Sequence, residues 1–227
     1  MNKLSIIMVC KNSSRTIEDS IKSFIDQDFL NKELIIIDGG STDGTNDIIF
    51  KYKEKNIIFE QIENLGLYAS INHGIKKSSG NIIGLLHSDD IYYSKNVLSK
   101  IHNEFSSNYT DIIYTDIVFF NKKNKIVRKW VNSNITDISD TNISLPPHTG
   151  IYIKKKAFDL VGYYNENYKI SSDIELMYKI FTEEKLKKKY LNIFSLKMRI
   201  GGLSTKSPLS IIRSNYETYK IFNNLNL

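Results

Sequence analysis

Residues 33–45 read ELIIIDGGSTDGT: a run of apolar residues closing on Asp38, then Gly39-Gly40-Ser41-Thr42-Asp43-Gly44. An unbroken apolar run, rather than an alternating one, belongs to a strand covered on both faces. Glu33–Asp38 therefore reads as a buried strand that stops at a turn. The same pattern recurs on either side of it, at Leu4–Cys10 and at Ile82–His87, where Ser88-Asp89-Asp90 ends the run. Between these strands the apolar residues take helical spacing. Ile17, Ile21, Phe24 and Ile25 share one face behind the candidate N-caps Ser13 and Ser14. Ile48, Ile49 and Tyr52 mark a second helix, Ile57–Gln61 a short strand, and Gly66–Ser79 a helix stopped by Gly80. Buried strands alternating with amphipathic helices predict an α/β fold with helices on both faces of a central sheet.

The second half is patterned differently. Val97, Ile101 and Phe105 lie on one helix. Ile112–Phe120 and Ile126–Trp130 flank the polar tip Asn121–Lys125, which predicts a hairpin. Asn132–Asn142 reads as a surface loop. Tyr152 and Ile153 lead through a short helix to Val161 and Gly162. Ser172 is placed to cap a helix whose buried side carries Ile174, Met177, Tyr178 and Phe181. Tyr190–Met198 reads as a strand, Gly201-Gly202 as a loop, and Pro208–Phe222 as an amphipathic helix. With no repeat and no linker, residues 1–227 read as one domain: a nucleotide-type half over 1–92, a variable half over 93–206, and a terminal helix over 207–227.

Composition narrows the function classes. The 227 residues carry 31 Lys and Arg against 25 Asp and Glu, a net charge of +6. The 41% hydrophobic content is that of a globular chain. A single cysteine excludes a disulfide scaffold and a thiolate zinc site. No stretch approaches the roughly 18–20 apolar residues that span a bilayer. Lys3 and Leu4–Cys10 are followed by Lys11 and Asn12 with no small-residue cleavage site, so the run fits a strand better than a signal peptide. The expectation is a soluble cytoplasmic protein. A charge of +6 is too mild to call for nucleic acid. Lys154–Lys156 and Lys185 with Lys187–Lys189 are either solvated faces or a surface for anionic head groups, where the terminal helix with Leu209, Ile212, Tyr216 and Tyr219 would join them. The plainer reading of that helix is that it covers the core.

Gly39-Gly40-x-x-x-Gly44 lacks the G-x-G-x-x-G spacing of a dinucleotide loop. No Gly-Lys-Ser/Thr, His-Glu-x-x-His or Gly-x-Ser-x-Gly occurs. The remaining chemistry lies in acidic residues at the carboxyl ends of strands, where open α/β sheets bind ligands. Asp38 can accept a hydrogen bond from a base or ribose, or satisfy the backbone of its own turn. Asp89 and Asp90 are adjacent carboxylates, which a divalent cation would neutralise, or they open a solvated helix start. Asp173 opens a helix, where the dipole favours its charge whether or not it has a further role.

SIIMVCKN, ELIIIDGGSTDGT, NLGLYASINHGIKKSSGNIIGLLHSDDIY, PHTGIYIKKKAFDLVGYYNENYKISSDIELMYKI and MRIGGLS, in that order over nearly the whole chain, resemble a family 2 glycosyltransferase of the GT-A fold. More narrowly, they resemble bacterial enzymes that build O-antigen or capsular polysaccharide repeats. The resemblance implies a GT-A sandwich with a mixed central sheet, and an inverting transfer of a hexose or N-acetylhexosamine from a nucleotide-sugar, UDP-sugars foremost. It implies an acceptor saccharide carried on a lipid diphosphate and met by the 93–206 half. Val9, Lys11, Asn12, Asp38, Gly66, Ser88 and Asp89 would hold the donor. Asp90, with Asp89, would hold Mn²⁺ or Mg²⁺, Asp173 would be the base, His148 would face the acceptor, and Arg199–Ser204 would form a mobile loop. Two positions depart from the pattern. His87 replaces a carboxylate or amide and is either a nitrogen ligand suited to Mn²⁺ or a satisfied strand-end histidine. Lys11 replaces a hydroxyl or aromatic residue. A binding module without turnover and a sugar nucleotidyltransferase are the competing classes. The aspartate trio counts against the first, and the glycine-free Lys11-Asn12-Ser13-Ser14-Arg15 counts against the second.

Overall fold

The computed structural model describes residues 2–53, 55–107, 109–135, 145–201 and 208–225. The apolar runs become strands because each has two cores to fill. In β1 (Leu4–Cys10), Leu4, Ile6 and Met8 point to one side and Ile7 to the other; in β2 (Lys32–Asp38), Leu34 and Ile36 oppose Ile35 and Ile37. The first side is closed by α1 (Ile17–Ile25), α2 (Thr45–Phe50) and α4 (Val97–Ser107) through Ile17, Ile21, Phe24, Ile49 and Ile101. The second is closed by α3 (Leu67–Lys77), the single turn α5 (Phe158–Val161) and α6 (Ser172–Thr182) through Ile71, Ile75, Phe158 and Phe181.

Strands β3 (Ile57–Gln61), β2, β1 and β4 (Ile82–Leu85) run parallel. On β4 the sheet changes sense: β8 (Ile151–Lys154) pairs antiparallel with β4 and with β6 (Ile112–Phe120). Next, β9 (Lys188–Arg199) runs parallel to β6, and β5 (Ile91–Tyr92) lies antiparallel on β9. β7 (Ile126–Trp130) completes the expected hairpin with β6. The described residues thus form one mixed nine-stranded sheet that crosses from the first half into the second.

Several local readings change. The N-cap of α1 is Thr16, not Ser13 or Ser14, and no side chain caps it. The amides of Ser13 and Ser14 instead donate to Thr45 Oγ1 (2.8 Å) and Asp43 Oδ2 (3.0 Å), tying the β1–α1 loop to the turn after β2. α3 ends at Lys77, before Gly80. Gly80 is needed for a close approach: a Cβ there would lie 2.6 Å from the Lys3 carbonyl oxygen. β4 stops at Leu85, two residues before His87. Ser171, not Ser172, precedes α6, whose buried side is Leu176, Met177, Ile180 and Phe181, with Ile174 and Tyr178 half-buried. The last helix, α7 (Pro208–Asn224), buries Glu217 and Ile221. Leu209, Ile212, Tyr216 and Tyr219 are all more than 60% exposed, so that stripe does not cover the core. Positions 136–142 of the expected surface loop, and 202–204 of the glycine loop, lie outside the described residues.

The first charged residue of the opening stretch, Glu33, is buried. Its carboxylate accepts from Lys3 Nζ, Ser5 Oγ, Ser79 Oγ (2.7 Å) and the Ser79 amide (2.7 Å), fastening β1 and β2 to the α3–β4 turn. Burial alone would raise its pKa, but bonds from Lys3, Ser5 and Ser79 outweigh it and bring the group from 4.5 to about 2. A carboxylate depressed in the folded state contributes stability that is complete above its unfolded value and lost as pH falls through the folded one. Glu33→Gln is therefore expected to cost on the order of 2–3 kcal/mol at neutral pH. In urea melts the gap between wild type and variant should close between roughly pH 5 and pH 2; a gap independent of pH would contradict the assignment.

Candidate active site

The carboxyl ends of β1, β2 and β4 open on a cleft of about 1160 Å³. One wall is the β1–α1 loop. Asn12 takes the left-handed conformation (φ 53°), its amide donates to Ser41 Oγ (2.7 Å), and its Oδ1 accepts from the Thr42 amide (2.9 Å). Val9, Lys11 and Asn12 all line the cleft. Ser13 Oγ meets Ser88 Oγ at 2.9 Å, joining this loop to the segment after β4.

Asp38 does not line the cleft. It is fully buried, and its carboxylate accepts from the amides of Gly40 (2.9 Å) and Ser41 (2.7 Å), from Ser41 Oγ and from Cys10 Sγ (3.4 Å). The turn satisfies this carboxylate, which is the second of the two roles expected of Asp38. Burial and the Asp38 charge in turn push the Cys10 thiol pKa upward. The acidic group that reaches the cleft from this turn is Asp43, held well below the usual carboxylate range by the Thr45 hydroxyl.

After β4 the chain turns on a bond from the Asp90 amide to the His87 carbonyl (3.1 Å), and Ser88, Asp89 and Asp90 all face the cleft. Asp90 is 1% exposed; Oδ1 accepts from the Arg199 amide (3.1 Å), and Oδ2 has no partner. Burial, then the Asp89 charge, pushes the Asp90 pKa well up, and burial raises Asp89 too. Two desolvated carboxylates with a free oxygen fit a hard divalent cation. Among the described residues no group of three His, Cys, Asp or Glu forms a ready cage. Asp90 and Asp89 would hold such an ion only together with oxygens from a ligand, as Mg²⁺ and Mn²⁺ are held on phosphates.

His87 and His148 form the floor, with ring centroids 5.4 Å apart. Burial, with His148 second, brings His87 down to about 3, so it is a neutral ring at working pH. His148 Nδ1 is buried without a partner. Across the cleft, Asp173 stands in the first turn of α6. The Tyr68 hydroxyl reaches both Asp173 Oδ1 (3.0 Å) and the Ile170 carbonyl. Tyr68 is on α3, just past Gly66, which adopts φ 82° at the cleft edge. Burial, then the Asp173 charge, pushes the Tyr68 hydroxyl pKa upward. Among the described residues, every expected site residue except Asp38 therefore lines one cleft. Asp43 and Tyr68 were missed: one looks like a second turn residue, the other like part of an apolar helix stripe.

Residues 5–167 match the family described as Glycosyl transferase family 2. The chain belongs to that family. A Rickettsia felis protein named an uncharacterized glycosyltransferase is 29% identical over 192 residues, covering 78% of this chain and 31% of its own length. The glycosyltransferase chain thus spans about a third of that relative. Among solved structures, S. aureus TarS 1–349 in complex with UDP superposes with a TM-score of 0.72 at 20% identity, over 93% of this chain and 63% of its own. Mannosyltransferase PcManGT of Pyrobaculum calidifontis, solved with GDP-Man and Mn²⁺, gives 0.67 at 11% identity, over 86% and 56%. The fold is GT-A. No helix among the described residues is long and apolar enough to cross a membrane.

Proposed function

We propose that this glycosyltransferase transfers a hexose or N-acetylhexosamine from a nucleoside diphosphate sugar, UDP-linked, to a saccharide hydroxyl by single displacement with inversion, in bacterial surface polysaccharide synthesis. The observation that carries the reading is the pairing across one cleft of Asp90, with its free buried oxygen, and Asp173, with its Tyr68 hydrogen bond. The β1–α1 loop, Gly66 and Ser88 form the donor side. Asp90 and Asp89 would hold Mn²⁺ or Mg²⁺, which when bound neutralises charge on the departing diphosphate. Asp173 accepts the proton of the acceptor hydroxyl, whose oxygen then attacks the anomeric carbon from the face opposite the leaving group. Tyr68 orients that carboxylate, and His148 lies on the acceptor side.

The acceptor in this reading is a sugar on a lipid diphosphate. Support for peripheral membrane contact comes from the exposed apolar stripe of α7 more than from the lysine runs. Lys154 and Lys156 pair with Asp111 (3.5 and 3.3 Å), and Lys189 pairs with Glu104 (2.9 Å). Salt-sensitive sedimentation with anionic vesicles tests that contact.

The deciding experiment supplies a panel of UDP-sugars with Mn²⁺ and saccharide acceptors, and assays UDP release. Release with at least one sugar is expected. Pyrophosphate from UTP and sugar phosphate would identify a nucleotidyltransferase, and nucleotide binding with neither product would identify a binding module.

A further inference from the structure

We propose that Glu217, on α7, is a positioning residue for Asp173, an inference that rests on Asp173 being the base. Glu217 is 7% exposed and directs its carboxylate at three successive backbone amides. Oε2 accepts from Ile170 (2.9 Å), Ser171 (3.0 Å) and Lys169 (3.2 Å), and Oε1 accepts from Lys169 (3.0 Å). Consecutive N–H groups of this kind form an anion-binding concavity, here immediately before the first turn of α6. No side chain of α6's own N-cap, Ser171, caps the helix. Ser171 Oγ instead turns to the Ser214 carbonyl and Ser214 Oγ (both 3.2 Å). Ser214 and Glu217, three residues apart, thus present one polar stripe of α7 to this loop.

The loop is held from the other side as well. Tyr68 bonds the Ile170 carbonyl and Asp173 Oδ1, so residues 169–173 are fixed between α3 and α7. Lys169, Ile170 and Asp173 line the cleft, whereas Glu217 does not. Glu217 therefore acts on the site only through the backbone that carries Asp173. α7 buries a single large apolar side chain, Ile221, and spends its one buried carboxylate on this loop. The bonds that anchor α7 are thus the same ones that fix the backbone leading into Asp173. Misplacement of a reacting group by about 1 Å can cost about 10²-fold in rate.

The test compares Glu217→Gln, Asp173→Asn and the double variant in the full chain, with Mn²⁺ and the UDP-sugar found active. Glu217→Gln is expected to lower kcat about 10–100-fold, to leave the donor KM within about twofold, and to increase amide hydrogen exchange over residues 169–173. In the Asp173→Asn background it should cost nothing further, because the group it positions is already gone. A purely structural role would lower both backgrounds alike. If Glu217→Gln does not fold, Ser214→Ala, which removes one contact to Ser171, carries the same comparison with an expected loss of about two- to fivefold. Wild-type kcat in a folded Glu217→Gln, or losses that multiply in the double variant, would overturn the proposal. Turnover retained by Asp173→Asn alone would instead overturn the base assignment, and is read from that variant by itself.

Discussion

Asp173→Asn is expected to lower turnover about 10²–10⁴-fold, the range a positioned general base contributes. The substitution is nearly isosteric. Its amide oxygen can still accept from the Tyr68 hydroxyl now 3.0 Å from Oδ1, so the first turn of α6 keeps its shape and only the proton acceptor is lost. The residues assigned to the donor lie on other elements: Lys11 and Asn12 after β1, Gly66 before α3, Ser88 and Asp89 after β4. UDP affinity with Mn²⁺ should therefore stay within about twofold of wild type, so the loss appears in kcat rather than in donor binding. UDP release at saturating donor and acceptor, alongside calorimetric titration with UDP, separates the two quantities. Activity within about threefold of wild type would show that proton removal at Asp173 does not limit the reaction, and the base would have to be sought elsewhere.

How much of this could be read from the chain depends on where the physical signal resides. The parallel half was legible because β1 and β2 are buried on both faces, which forces an uninterrupted apolar run; their bounds came out at Leu4–Cys10 and within one residue of Lys32–Asp38. The same kind of run at β4 located Ser88, Asp89 and Asp90 at its end, since a sheet of this kind concentrates ligands at its carboxyl edge. Asp38 shows the limit of that rule. A turn carrying two glycines and a serine offers enough donors to satisfy a carboxylate, and which of Asp38 and Asp43 lines the cleft depends on how the turn closes. Glu33 passed for the charged boundary of a strand because its partners Lys3 and Ser79 are 30 and 46 residues away. Glu217 reaches the segment before Asp173 across a similar separation of 46 residues and Tyr68 across 102, and no local pattern records such contacts. The stripe on α7 misled for a related reason. Helical periodicity reports an apolar face but not whether anything covers it, and here the covered side carries Ser214, Glu217 and Ile221 instead.

Asp90→Asn should separate the cation from the fold. The variant's side-chain oxygen can still accept from the Arg199 amide, so the bond between the segment after β4 and the end of β9 persists. The negative charge on Oδ2, the unpartnered oxygen at the cleft, is lost. In wild type, a carboxylate buried at 1% exposure beside Asp89 is costly to ionise without a cation, because desolvation and like-charge repulsion act together. Removing it is expected to raise the melting temperature of the cation-free protein by a few degrees, about 1 kcal/mol in a chain of this size. The effect on ligand binding should have the opposite sign. Wild type should bind UDP at least about tenfold more tightly with Mn²⁺ than without it, and Asp90→Asn should bind equally in both conditions. Turnover should fall with it, since charge on the leaving diphosphate is then left to side chains alone. A gain in cation-free stability together with the loss of metal-linked donor binding is the pattern of a carboxylate kept for a ligand rather than for the fold. Unchanged Mn²⁺ dependence in this variant would mean that the oxygen at the foot of β4 is not where the cation sits.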